Sequence, residues 1–206
     1  MRKRSLPATL LISLLAFALS PSLQAQDTPR LSAQPAPARP DPAALIAAQR
    51  SAMAPLAFMD GAWRGKATTV SPDGGTHVIT QTERVGPFLD GTIKVIEGRG
   101  YDDDGKVAFN AYGIVSYDPS TKAYRFHSHA MGMQGDYSFK PTDGGYVWEI
   151  PAGPMTIRYT ATIRDGAWNE IGERIVPGRP AERFFEMNLR RIGDSDWPEA
   201  GALQRQ

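Results

Sequence analysis

The chain has no cysteine. That excludes disulfides, zinc–thiolate centres and thiol catalysis, and it leaves the fold to be held by its core alone. Histidine is scarce as well: there are three, and none follows His129. Charge is nearly balanced, with 23 Lys and Arg against 22 Asp and Glu. Such a balance gives no reason to expect a nucleic-acid partner or an anionic membrane surface. No apolar run reaches the roughly 20 residues that a membrane-spanning helix needs. No Gly-x-Gly-x-x-Gly opens a helix and no serine sits in a nucleophile elbow, so neither fingerprint supports nucleotide binding or serine hydrolysis.

What is present begins with an export pattern. Arg2, Lys3 and Arg4 precede an almost wholly apolar stretch from Leu10 to Leu19, and Leu23-Gln24-Ala25 follows. The pattern predicts a signal peptide over residues 1–25, cleaved after Ala25, and a periplasmic or secreted location with no membrane attachment after cleavage. Residues 26–42 carry five prolines among small and polar residues and read as an extended linker. Asp41 before Pro42 is a good helix start. Helix formers follow up to Pro55, so a short helix is expected over 43–55, amphipathic through Leu45, Ile46, Gln49, Met53 and Leu56.

From Gly61 onward, turn signals such as Ser71-Pro72-Asp73-Gly74-Gly75, Asp104-Gly105 and Asp165-Gly166 separate about ten β-rich segments. Many consecutive strands with tight connections predict an antiparallel meander, and a meander of that length closes to cover its edges. The expected fold is an all-β, antiparallel up-and-down β-barrel of about ten strands over residues 56–193, with a short N-terminal helix and a C-terminal tail over 194–206. Alternation separates the faces. Met155, Ile157, Tyr159, Ala161 and Ile163 share one face, while Thr156, Arg158, Thr160 and Thr162 share the other. The pattern itself leaves open which face lines the interior.

The stretch Leu56-Ala57-Phe58-Met59-Asp60-Gly61-Ala62-Trp63-Arg64-Gly65 resembles the opening of calycin-like barrels such as lipocalins. There a Gly-x-Trp begins the first strand, and the resemblance implies that Trp63 stoppers the barrel floor. Within that group the chain is similar to the DUF1579-type families of uncharacterised bacterial proteins. That similarity is carried by Gly61-Ala62-Trp63, Glu83, Phe88-Leu89-Asp90-Gly91 and Gly113 through Asp118, over roughly residues 56–192. It implies a fold and no reaction. The nitrobindin-like haem proteins also open with Gly-x-Trp-x-Gly and take an axial histidine from a late strand. No such histidine exists here, so haem is disfavoured.

His127 and His129 stand one residue apart in a predicted strand and so share a face. A metal there lacks ligands, since stable sites want three or four. In a cupin-like pattern the expected Glu position is occupied by Met133 or Gln134. Two polar residues on a wet wall is the favoured reading. Glu83, Glu97, Glu149, Glu170, Glu173 and Glu186 fall mid-strand, where they serve either as surface ion pairs or as paired charges in a lumen. Two carboxyls facing one cavity would be competent for acid–base work. Asp102-Asp103-Asp104-Gly105 reads as a hairpin turn rather than a calcium loop. Met131 through Gly135 is expected to form a bend or bulge.

Taken together, the expectation is a small-molecule binder holding a partly apolar ligand in the barrel. Tyr112, Phe126, His127, His129, Trp148, Arg158 and Tyr159 are its candidate contacts, with no cofactor, metal or nucleic acid. The alternatives are an enzyme using His127 and His129, and a structural envelope domain with a filled core.

Overall fold

The structure is a computed structural model, and it describes residues 41–197. The leader over 1–25 and almost all of the proline-rich linker lie outside the described residues, as does the tail after Trp197.

Helix α1 spans Pro42–Met53. Asp41 caps it, its side chain accepting from the Ala43 amide at 3.0 Å, and Pro42 occupies a first-turn position where no amide donor is needed. The helix tightens at Ala54 into a 3-10 segment, Ala54–Met59, that carries the chain through Pro55 to the first strand. The expected amphipathic stripe is only partly used. Met53, Leu56 and Met59 are buried, whereas Leu45 and Ile46 stay exposed because only the last turn docks on the barrel. Tyr124 donates to the Ala52 carbonyl at 2.7 Å, and Arg50 pairs with Asp90 at 2.8 Å.

Ten antiparallel strands follow: β1 Gly61–Val70, β2 Thr76–Phe88, β3 Ile93–Tyr101, β4 Val107–Asp118, β5 Ala123–Ala130, β6 Met133–Thr142, β7 Gly145–Ala152, β8 Met155–Arg164, β9 Ala167–Ile175 and β10 Glu182–Gly193. Each pairs with its sequence neighbour, and β1 pairs with β10 to close the barrel. Closure removes every free edge, so the meander presents no strand for self-pairing. Two hairpins use the tightest favoured turns. Met131 and Gly132 have φ of 51° and 81°, and Asp165 and Gly166 have 51° and 69°, the paired positive values of type I′ loops. Met133 to Gly135, expected to bend, instead begins β6.

Directly opposed residues share a face, so the registers assign inside and outside. Trp63 opposes Glu83, Gly98 opposes Glu83 from the other side, and Leu189 opposes Trp168. At the helix end the interior is solid. Trp63, Trp168, Leu56, Met59, Val85 and Val115 are each at most 2 % exposed. The two indoles meet edge to face at 5.5 Å, and Trp63 Nε1 donates to the Met59 carbonyl at 3.0 Å. Trp63 is therefore buried and held at the helix end of the barrel.

The outer wall carries ion pairs instead. Arg84 and Arg99 hold Glu97 at 2.8 and 2.7 Å, and Arg158 holds Glu149 at 2.7 Å. Ser195 to Trp197 straps back over this wall. The Trp197 ring lies 5.4 Å from Phe88 and under the Arg84 guanidinium at 4.2 Å, and it covers Gly86.

Candidate functional site: the acid pair inside the barrel

Two carboxyls point into the barrel between the solid floor and the opposite end. Glu83 comes from β2 and Glu170 from β9. Their inward direction follows from hairpin register. Counting back from the Ser71–Gly75 loop pairs Val70 with Thr76 and Trp63 with Glu83, so floor indole and acid share a face. Gly98 makes room for the acid: a Cβ there would lie 2.8 Å from Glu83 Oε1. Gln81, two residues away on the same face, donates to that oxygen at 2.7 Å. Glu170 accepts from the Tyr146 hydroxyl at 2.5 Å and from Trp148 Nε1 at 3.4 Å. Trp168 Nε1 is buried nearby and has no hydrogen-bond partner among the described residues.

Among the described residues neither acid makes an ion pair. The one buried lysine, Lys94, is already engaged by Asp60 at the floor. Burial therefore dominates. It pushes Glu83 up to about 8, against a partial offset from Gln81, and the nearby Glu170 and Glu97 carboxylates push it further the same way. Burial also raises Glu170, opposed by its bonds from Tyr146 and Trp148. Tyr146 rises well above the ordinary phenol range, first by burial and then by the Glu170 carboxylate. By contrast, burial raises Glu97 on the outer wall less than its bonds from Arg84 and Arg99 lower it, so it ends below the usual range.

Beyond the acids, toward the end away from α1, the inward side chains are aromatic. Trp148 and Tyr159 stack at 4.4 Å with planes 8° apart, and Phe126 meets Trp148 edge-on at 5.0 Å. A bulge in β10 between Arg183 and Phe185 turns two successive phenylalanines toward Tyr159, Phe184 at 6.0 Å and Phe185 at 5.7 Å. Arg174 lies over the Phe184 ring at 4.3 Å and reaches Glu182 at 3.2 Å. Burial pushes the Tyr159 phenol up to about 12; Glu170 adds to this and Arg174 opposes it. Phe126, Tyr137, Trp148, Tyr159 and Phe185 all face inward yet are only partly buried. These rings pack on one another and stay partly accessible at the barrel end away from α1.

The registers divide the residues expected to contact a ligand. Phe126, Trp148 and Tyr159 face the interior. Tyr112, His127, His129 and Arg158 face outward: Tyr112 opposes His129, and Arg158 opposes Glu149. On that outer wall His127 Nδ1 lies 2.8 Å from Asp136 Oδ1, and His127 Nε2 lies 3.0 Å from His129 Nε2. The two histidines are thus separated from the interior acids by the barrel wall. Gln81, Tyr137, Tyr146, Arg174 and Phe184 were not among the expected contacts, and Glu83 and Glu170 stood only among many mid-strand carboxylates.

The crystal structure of Rv2717c from M. tuberculosis superposes on this chain with a TM-score of 0.51 at 12 % identity, covering 69 % of this chain and 96 % of that one. The likeness is one of fold. It matches a barrel of this kind across nearly the whole of the other protein. No protein-family model matches the chain, and no curated protein matches it.

Proposed function

We propose that this protein is an exported binding protein whose barrel holds one small, partly apolar molecule. The molecule presents an amine or hydroxyl donor to Glu83 and Glu170 and lays its apolar body against Trp148, Tyr159, Phe126 and Phe185. The observation that carries the reading is the pair of interior carboxyls without a cationic partner. Burying an acid without compensation is costly, and an entering donor relieves that cost. An ammonium group gains most, since it meets carboxyl oxygens and aromatic faces together.

Other features agree. The inward aromatic side chains at the end away from α1 are only partly buried, and this is where a small molecule would enter. The outer wall is laced with charged pairs where a membrane barrel carries an apolar band. Export through the 1–25 leader and kinship with the DUF1579-type families belong to the same proposal.

The test uses three probes with one tail, n-octylamine, 1-octanol and octanoate, each titrated into the purified protein and followed by tryptophan fluorescence and native mass spectrometry. Octylamine and octanol are expected to bind at one site and octanoate not. Glu170→Gln is expected to weaken octylamine by about tenfold and octanol much less, as for loss of a charge-assisted bond. Failure of all three probes to bind, or octanoate binding as well as octylamine, contradicts the proposal.

A second reading rests on Glu83 titrating near 8. An acid poised there suits proton transfer at neutral pH, so acid–base chemistry, if present, belongs to Glu83 and Glu170 rather than to His127 and His129. Turnover of a bound molecule that Glu83→Gln abolishes while binding persists would select this reading.

A further inference from the structure

The outer wall holds a second arrangement, independent of the interior acids. We propose that His127 and His129 form a two-imidazole site for a divalent transition-metal ion, copper(II) foremost, with Asp136 as the positioning residue behind it.

The geometry points to this in three ways. First, β5 places both rings on one face, and their Nε2 atoms converge to 3.0 Å. Two imidazoles on one metal at about 2.0 Å each have nitrogens about 2.8 Å apart in neighbouring square-planar positions and about 3.3 Å apart in a tetrahedron. The observed separation lies between these values, so small ring rotations suffice.

Second, Asp136 reaches His127 from the neighbouring strand, with Oδ1 at 2.8 Å from Nδ1. A carboxylate only accepts, so Nδ1 carries the proton and the Nε2 lone pair faces outward. A carboxylate fixing the far nitrogen of a ligating histidine is the usual support of such sites.

Third, the proton balance closes without any other reactant. In the free protein His129 Nε2–H donates to His127 Nε2. On binding, that proton moves to His129 Nδ1, and both Nε2 lone pairs turn to the metal. Both rings are solvent-accessible, and the remaining coordination positions are filled by water or by an exogenous ligand. Imidazole pairs favour copper(II) over zinc(II) by the general order of divalent affinities. Asp136 faces Nδ1, so the protein supplies two ligands here, and no group of three or more ligating side chains occurs among the described residues.

The experiment titrates the purified protein with copper(II) chloride alone, in a non-coordinating buffer, followed by calorimetry and electron paramagnetic resonance. One equivalent is expected, with hyperfine coupling from two imidazole nitrogens. His127→Ala and His129→Ala should each reduce the coupling to one nitrogen. Asp136→Asn should weaken binding by about tenfold or more while two nitrogens stay bound. All three positions are on the outer wall, and circular dichroism checks that the variants keep the barrel. Absence of binding, or a copper signal that survives both histidine variants unchanged, overturns the proposal. Asp136→Asn binding as tightly as the parent overturns the positioning role.

Discussion

Tyr146 and Glu170 meet inside the barrel, the hydroxyl donating to Oε2 at 2.5 Å, with β7 supplying one and β9 the other. The bond spans two strand pairings across β8, so it ties β7 to β9 through the interior. Tyr146→Phe keeps the ring that stacks on Phe139 at 5.0 Å and removes only the donor. A buried acceptor then loses its best partner, so stability should fall by about 1–3 kcal/mol. Urea denaturation measures this; an unchanged midpoint would show that the pair contributes nothing.

Glu83 sets the pH dependence of stability. Its carboxyl titrates near 8 in the fold against 4.5 ordinarily. Between those values the folded chain keeps a proton that the unfolded chain has released, so stability falls as pH rises through the window and levels off above it. Glu83→Gln removes the loss while keeping an acceptor for Gln81. The variant should match the parent near pH 4.5 and exceed it by about 2–5 kcal/mol above pH 8, since each unit of displacement carries about 1.4 kcal/mol. Denaturation curves across pH check this. A stability gap that does not widen with pH would place the carboxyl in water.

Trp63 packs edge to face on Trp168 and donates to the Met59 carbonyl. Trp63→Ala should cost about 3–5 kcal/mol, as for other large buried aromatics, and raise the unfolding rate. A loss under 1 kcal/mol in thermal and urea melts would mean that the helix end is held by other contacts.

Arg158 and Tyr159 are neighbours in sequence and face opposite sides of the wall. Arg158→Ala should change stability by no more than about 1 kcal/mol, because its bond to Glu149 is a partly exposed ion pair on the outer wall, and should leave octylamine binding intact. Tyr159→Ala removes the ring stacked on Trp148 and should weaken that binding severalfold. The reverse order of effects in fluorescence titrations would put the ligand outside the barrel.

The strand pattern was legible because glycine, proline and aspartate punctuate it. The ten segments read from the turns are the ten strands of the barrel, and only the ends moved, as where β2 runs on through Pro87 to Phe88. The inner face was harder to read. In β4 both faces carry apolar side chains, Phe109 and Val115 on one and Tyr112 and Ile114 on the other, so a period of two does not choose between them. Register sets Tyr112 outward, opposite His129, and there the Trp197 ring from the far end of the chain lies 6.4 Å away. The acid pair was harder still. Glu83 and Glu170 look like any mid-strand glutamates until register sets one opposite Trp63 and the other opposite Met187. The Glu83 register is recoverable by counting from its loop. The proximity of the two acids depends on β1 meeting β10, a closure that no local pattern encodes.

The most direct measurement is the titration of the Glu83 side-chain carboxyl by carbon NMR, with and without saturating octylamine. The account predicts a midpoint near 8 in the free protein and a fall toward the ordinary carboxylate range once an ammonium group enters beside it. A free-protein midpoint near 4.5, or one that octylamine leaves unmoved, would contradict it.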